Sequence, residues 1–279
     1  MSAGDRATIR VADGSEMSAY VAQPRGSGPF PAILVFQEAL GVNAQIRGVA
    51  DRYAALGFVA VAPDLFHRFN PGFETQTFDR DVIMPMIGKL TIDGMVADVV
   101  ATYHWAANQK SIRSDKIAAV GYCMGGRAAY LANSEVPLAA AISYYGGGIA
   151  PALLDRAAKL HGPHLFFWGG RDPGIPPELH RAVADAVRDA GQRFVDVEFS
   201  DAQHGFFNGA RARQSASRAR VVGARPRLPR ERAGDRVGSG LNAASPQAPN
   251  ELIEEVQPLI KRFDAHLLVA TVRVALAGK

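Results

Sequence analysis

The 279-residue chain holds a single cysteine, Cys123, so no intrachain disulfide can form and nothing argues for an oxidising compartment. It also lacks a long apolar run. Its most apolar tail, "HLLVATVRVALAGK", is interrupted by Arg273, too short a stretch for a membrane-spanning helix. The opening "MSAGDRATIR" has charge but no apolar centre, so no secretory leader is expected there. No G-x-G-x-x-G opens a helix; Gly146, Gly147 and Gly148 make no dinucleotide fingerprint. His67, His104, His161, His164, His180 and His266 share no metal-ligand spacing and read as structural or solvent-facing. The expectation is a cytoplasmic protein with no cofactor, no metal and no membrane partner.

Charge is unevenly spread. Residues 209–240 carry nine arginines against Glu231 and Asp235, a local +7; with the whole chain at +4, the remainder is −3. A nucleic-acid reading would therefore rest on Arg211 to Arg236 alone, and no nucleic-acid partner is expected.

Along the chain, apolar strand-like runs alternate with helical periodicity. "ATIRVADGSEMSAYVAQP" alternates and turns at Asp13-Gly14, as a hairpin does. "FPAILVFQE", "FVAVAPDL", "KIAAVGYC", "LAAAISYYGG" and "HLFFWGGRD" are continuous apolar runs suited to strands buried on both faces, and "RFVDVEFS" is the last strand. Helices are expected in "QIRGVADRYAALG", "DGMVADVVATYHWAANQ", "GRAAYLANS" and "PPELHRAVADAVRDAG", the last with proline in its first turn. Residues 66–92 read as irregular with one short helix. This alternation predicts an α/β fold, a mostly parallel sheet with helices on both faces. The boundaries expected are an α/β domain over 1–208, an Arg/Pro/Gly-rich disordered segment over 209–249, and a helical segment over 250–279.

"GYCMGG" places Cys123 between Gly121 and Gly125, after a predicted strand and before a predicted helix. That is the setting of a nucleophile elbow: a crowded strand-to-helix turn that needs glycine two residues to either side. The helix N-terminus there favours a thiolate. A nucleophile needs a base, and the base an orienting acid. Asp172 in "WGGRDPGIP" and His204 in "DAQHGFF" each follow a predicted strand, so both fall at the sheet edge that carries Cys123, in the order nucleophile, acid, histidine. Taken singly, Cys123 reads as a packed core residue and Asp172 as a helix cap. Glu38, in "VFQEALGVN", reaches the same edge, where a carboxylate can approach the thiol or remain a surface loop acid.

Together, "QEALGVN", "APDLF", "GYCMGG", "WGGRDPGIP" and "HGFFN" resemble the dienelactone hydrolase (carboxymethylenebutenolidase) family, from about residue 7 to Asn208. The resemblance implies an α/β-hydrolase fold and a carboxylic ester hydrolase acting on a small-molecule ester or lactone. It implies a Cys123–His204–Asp172 triad working through an acyl-enzyme. It implies an oxyanion hole from the N–H groups of Met124 and Ala39. It implies that Glu38 contacts the resting thiol until substrate displaces it and frees the histidine. Tyr122, Phe36, Phe206 and Phe207 are candidates to line the pocket, and Arg80 is a candidate for a substrate carboxylate. Where the family usually has an arginine four residues after the histidine, this chain has Asn208. The family normally closes soon after "HGFFN" with an amphipathic helix. Here the Arg/Pro/Gly-rich stretch intervenes, from a reading-frame change or an insertion, and residues 250–276 are candidates to replace that helix. The alternative is a catalytically impaired small-molecule binding protein of the same fold. A monomer or weak homodimer is expected.

Overall fold

The computed structural model describes residues 4–208 and 219–221. One sheet contains β1 (Asp5–Arg10), β2 (Glu16–Ala22), β3 (Phe30–Phe36), β4 (Val59–Pro63), β5 (Ile112–Tyr122), β6 (Ala141–Tyr144), β7 (His164–Gly169), β8 (Phe194–Phe199) and β9 (Ala219–Val221). Their spatial order is β1-β2-β4-β3-β5-β6-β7-β8-β9. The block from β4 through β3, β5, β6, β7 to β8 is parallel, while β1, β2 and β9 join antiparallel. The expected α/β-hydrolase architecture is present, with helices on both faces of a mostly parallel sheet.

The central strands are buried on both faces, which is why they read as unbroken apolar runs. Ala32 through Phe36 of β3 and Ala60 through Ala62 of β4 are fully buried. The helices are α1 (Ala44–Ala55), α2 (Arg80–Gly88), α3 (Ile92–Ala107), α4 (Met124–Glu135) and α5 (Pro177–Asp189). The side chain of Asn43 caps α1 by accepting from the amides of Gln45 and Ile46, and Thr91 caps α3 at Gly94. The short helix expected within 66–92 is α2, capped by Asp79. One element runs longer than its apolar pattern. β5 begins at Ile112, and its polar residues Arg113 to Asp115 are exposed before the buried run begins.

Of the segment expected to lack regular structure, Ala219–Val221 pairs with β8. The rest of it, and the helical segment expected over 250–279, lie outside the described residues. Among the described residues, no helix is long and apolar enough to cross a membrane, and no group of three or more acidic, histidine or cysteine side chains is arranged to hold a metal ion.

Candidate active site

The parallel strands deliver their C-terminal ends to one edge of the sheet, and the loops leaving β3, β5, β6, β7 and β8 meet there. The turn after β5 is the most constrained. Cys123 caps α4 with φ 57° and ψ −121°, a left-handed backbone that costs a side-chain-bearing residue about 1–3 kcal/mol. The turn can be this tight because Gly121 and Gly125 are bare. A Cβ on Gly121 would stand 1.7 Å from the Gly125 carbonyl oxygen, and one on Gly125 would stand 2.3 Å from the Phe36 oxygen. Met124 opens α4, so its N–H has no intrahelical acceptor. Ala39 lies in the adjacent loop after β3, and both residues are buried.

A buried polar chain holds the elbow from behind. Ser143 Oγ lies 2.6 Å from the Gly126 carbonyl, which can only accept, so Ser143 donates to it. His164 must then donate its Nε2–H to Ser143 Oγ at 2.9 Å, leaving Nδ1 to accept from Asn133 Nδ2 at 3.3 Å. Burial lowers the pKa of His164 from 6.5 to about 3, so the ring is neutral.

Asp172 is buried in the loop after β7. One carboxylate oxygen accepts from the Gly174 amide at 2.9 Å, and the other is 2.6 Å from His204 Nδ1. The two loops touch through bonds from Gly170 N–H to Phe199 and from Arg171 N–H to Ala202, an approach that a Cβ at Gly169, 2.7 Å from the Ala202 oxygen, would obstruct. His204 is part-exposed. Burial works against its imidazolium, but hydrogen bonds to Asp172 and Cys123, with the charges of both, outweigh that and raise its pKa from 6.5 to about 10. The three residues thus form one connected group, with Asp172 on one ring nitrogen and Cys123 as the second partner.

Glu38 is buried beside them. Its carboxylate accepts from the Tyr145 hydroxyl at 2.8 Å and from Asn208 Nδ2 at 3.2 Å. Tyr145 is the residue the sequence reading missed. It is fully buried with φ 37°, its ring lies 5.0 Å from that of His204, and burial together with the Glu38 charge holds its hydroxyl pKa well above the usual 10. Its position directly after an apolar strand, at the edge that also carries Glu38, was the available signal.

The expected lining residues separate. Phe36 and Tyr122 are wholly buried, so a substrate-lining role for their side chains is corrected to core packing. Tyr122, Tyr144 and Phe167 sit in register on neighbouring strands and stack at 5.1 and 4.6 Å, because central strands bury both faces and not only the one toward the site. Phe207 stacks on Tyr122 at 4.8 Å and so pins the His204 loop to the sheet. Phe206 packs 5.0 Å from Tyr145 and is partly exposed. Arg80 stands exposed in the first turn of α2; among the described residues, no hydrogen bond or ion pair joins it to the triad.

The sequence profile of the Dienelactone hydrolase family matches residues 17–225. The carboxymethylenebutenolidase of Pseudomonas sp. strain P51 is 30% identical over 222 residues, 78% of this chain and 91% of that protein. A Klebsiella pneumoniae crystal structure provisionally named a dienelactone hydrolase has a TM-score of 0.67 at 28% identity, covering 76% of this chain and 91% of that one. P91, a dienelactone hydrolase-like promiscuous phosphotriesterase from metagenomic libraries, has a TM-score of 0.63 at 26% identity, covering 74% and 86%. With three quarters of its length matched by the family profile and the α/β-hydrolase fold in place, the chain belongs to the dienelactone hydrolase family and is a carboxylic ester hydrolase.

Proposed function

We propose that the chain hydrolyses an ester or lactone, of the dienelactone-like cyclic enol ester kind, through a Cys123–His204–Asp172 triad and a thioester acyl-enzyme. The observation that carries this reading is the 2.6 Å bond between His204 and Asp172 with Cys123 as the other hydrogen-bond partner of the imidazole. His204 takes the Cys123 proton, and its hydrogen bonds to Asp172 and Cys123, which raise its pKa to about 10, suit it to hold that proton. The sulfur attacks the substrate carbonyl, and the N–H groups of Met124 and Ala39 receive the oxyanion, a contribution of about 3 kcal/mol per donor in other enzymes with an oxyanion hole. The imidazolium gives its proton to the departing enolate or alkoxide oxygen. The now neutral His204 then takes a proton from water, whose oxygen attacks the thioester and releases the acid and the thiol. Asp172, fixed by the Gly174 amide, keeps the ring in the tautomer and orientation these transfers need.

In this reading Glu38 contacts the resting thiol until substrate displaces it, and its hydrogen bonds from Tyr145 and Asn208 support that position of the carboxylate. Tyr145 supports the assignment because its hydroxyl donates to Glu38 while its ring packs 5.0 Å from that of His204.

The test is turnover of p-nitrophenyl acetate and of a dienelactone by wild type and Cys123→Ala, with intact-protein mass spectrometry of the quenched reaction. The variant should lose at least about a thousandfold in kcat, and the wild type should carry a covalent acyl mass. Equal rates in the two folded proteins would reject Cys123 as the nucleophile.

A further inference from the structure

The loop that carries Asp172, "DPGIPP", is short of backbone donors. Pro173, Pro176 and Pro177 have no N–H, so between Asp172 and α5 only Gly174 and Ile175 keep one. Both are spent on Asp172. Gly174 donates to its carboxylate at 2.9 Å, and Ile175 donates to its carbonyl at 3.3 Å. α5 then starts without a side-chain cap. The carbonyl of the buried Ile175 is left with no backbone donor, which is unfavourable unless a side chain meets it.

His180, near the start of α5, meets it. Its Nε2 lies 2.5 Å from the Ile175 oxygen, which can only accept, so Nε2 carries the proton. Among the described residues, no other donor reaches that oxygen. His180 is buried, and its ring stacks on Trp168 at 4.8 Å with an interplanar angle of 9°. Trp168 ends β7 just before the acid loop and donates its Nε1–H to Asp196 at 2.6 Å. The other ring nitrogen of His180, Nδ1, is buried with no hydrogen-bond partner, 3.6 Å from the Glu198 carboxylate. Glu198 lies near the end of β8, ahead of the His204 loop, and it covers the acid loop: a Cβ on Gly170 would stand 3.1 Å from its Oε1. His180 therefore stands where the roots of the acid loop and the base loop meet. Stacking on indole needs only an aromatic ring, which phenylalanine would supply as well. What histidine adds here is the Nε2–H.

We propose that His180 is a positioning residue for the hydrolysis: its Nε2–H fixes the Ile175 carbonyl and so holds the turn from Asp172 to Ile175 in the shape that aims the Asp172 carboxylate at His204. The role rests on the triad reading for the part played by Asp172. His180 touches neither the substrate nor the reacting atoms, and it acts through the acid alone.

The experiment measures kcat and KM for p-nitrophenyl acetate, per folded protein, in wild type, His180→Phe, His180→Gln, Asp172→Asn and the double variant His180→Phe/Asp172→Asn. Phenylalanine keeps the stack and loses the donor. Glutamine loses the stack and keeps a side-chain N–H of similar reach. His180→Phe should lose about tenfold to a hundredfold in kcat, with KM within about twofold of wild type, because the acid is misaimed while the binding surface is untouched. His180→Gln should recover most of that loss. A ring that only packs gives the reverse order, so a kcat in His180→Phe equal to or above that in His180→Gln overturns the proposal. In proton NMR, the low-field resonance of the His204 Nδ1–H bonded to Asp172 should persist in His180→Gln and be broadened or lost in His180→Phe; an unchanged resonance in His180→Phe also overturns it. Wild-type protein supplies a further measurement should the variants fail to fold. Its ring nitrogen shifts should show a proton on His180 Nε2, and a bare Nε2 overturns the proposal. Asp172→Asn separates the two readings. A wild-type kcat in Asp172→Asn removes the triad itself, and the role of His180 with it. A large loss there beside little loss in His180→Phe keeps the triad and removes only the positioning role. Where both single variants are impaired, the double variant should lose no more than Asp172→Asn alone. Losses that multiply would mean that His180 acts on something other than Asp172, against the proposal.

Discussion

His164 offers a prediction whose size follows from its surroundings. The ring is fully buried, stacked 4.3 Å from Phe166, and committed as a neutral donor to Ser143 and acceptor from Asn133. Its pKa of about 3 in the fold lies well below the 6.5 of a free histidine. Between those values the unfolded chain binds a proton that the fold refuses, so stability falls as pH drops from 6.5 toward 3. At pH 4 the unfolded histidine is protonated about 300-fold over its neutral form, which corresponds to about 3 kcal/mol. That is a large part of the roughly 5–15 kcal/mol that holds a domain together. Asp196 acts in the opposite sense. Burial raises it to about 6 despite the Trp168 hydrogen bond, so the fold takes up that proton first and gains stability as pH falls through 6 toward 3.8. A wild-type pH curve mixes the two effects, and the clean comparison is with His164→Gln, which leaves Asp196 in place. Urea unfolding followed by tryptophan fluorescence, at pH 7 and pH 4, gives the stability gap between the proteins. Wild type should be the more stable at pH 7, and the gap should shrink by about 3 kcal/mol at pH 4. A gap that stays within about 1 kcal/mol between the two pH values would refute the buried neutral histidine and the tautomer derived from it.

Two further outcomes are expected. The His204 ring should titrate near pH 10 by NMR, and lower in Cys123→Ser, because the sulfur's hydrogen bond and charge help to raise it; stability from this group is fully present below 6.5 and lost as pH rises toward 10. A titration near 6.5 in wild type would contradict the connected triad. Tyr145→Phe removes a donor from the buried Glu38 carboxylate and should cost about 1–3 kcal/mol in thermal or urea unfolding, with a lowered kcat; unchanged stability would mean that Glu38 does not depend on that bond.

Much of the fold could be read from the chain, for identifiable reasons. Strands covered on both faces are apolar at nearly every position, so β3, β4, β6 and β7 announce themselves, with Ser143 and His164 as buried polar exceptions. The elbow is legible because two backbones collide there unless Gly121 and Gly125 are bare. Asp172 and His204 are legible because topology sends every loop that follows a parallel strand to the same edge. Tyr145 was not: its partner Glu38 is 107 residues away, and its positive φ leaves no mark on residue type. Tyr122 and Phe36 misled because a place at the end of β5 or of its neighbour β3 does not say which face of the strand a side chain takes. β9 escaped notice because three residues in arginine-rich sequence become a strand only when an unpaired edge, here that of β8, is there to receive them.

The elbow separates two kinds of mutational freedom. Its strain is borne by backbone, and the closest approaches fall on hydrogen atoms of Gly121 and Gly125, so those positions admit no other residue without moving a carbonyl. Position 123 is the opposite case. The side chain there projects from a turn that the glycines have already made possible, and its identity has little say in the shape beneath it. On the proposed mechanism, a lineage carrying this turn can exchange one small nucleophile for another by a single codon change and inherit the acid, the base and the donors unaltered. Reaction chemistry in such a scaffold can therefore drift on its own, while the glycines that flank it stay frozen.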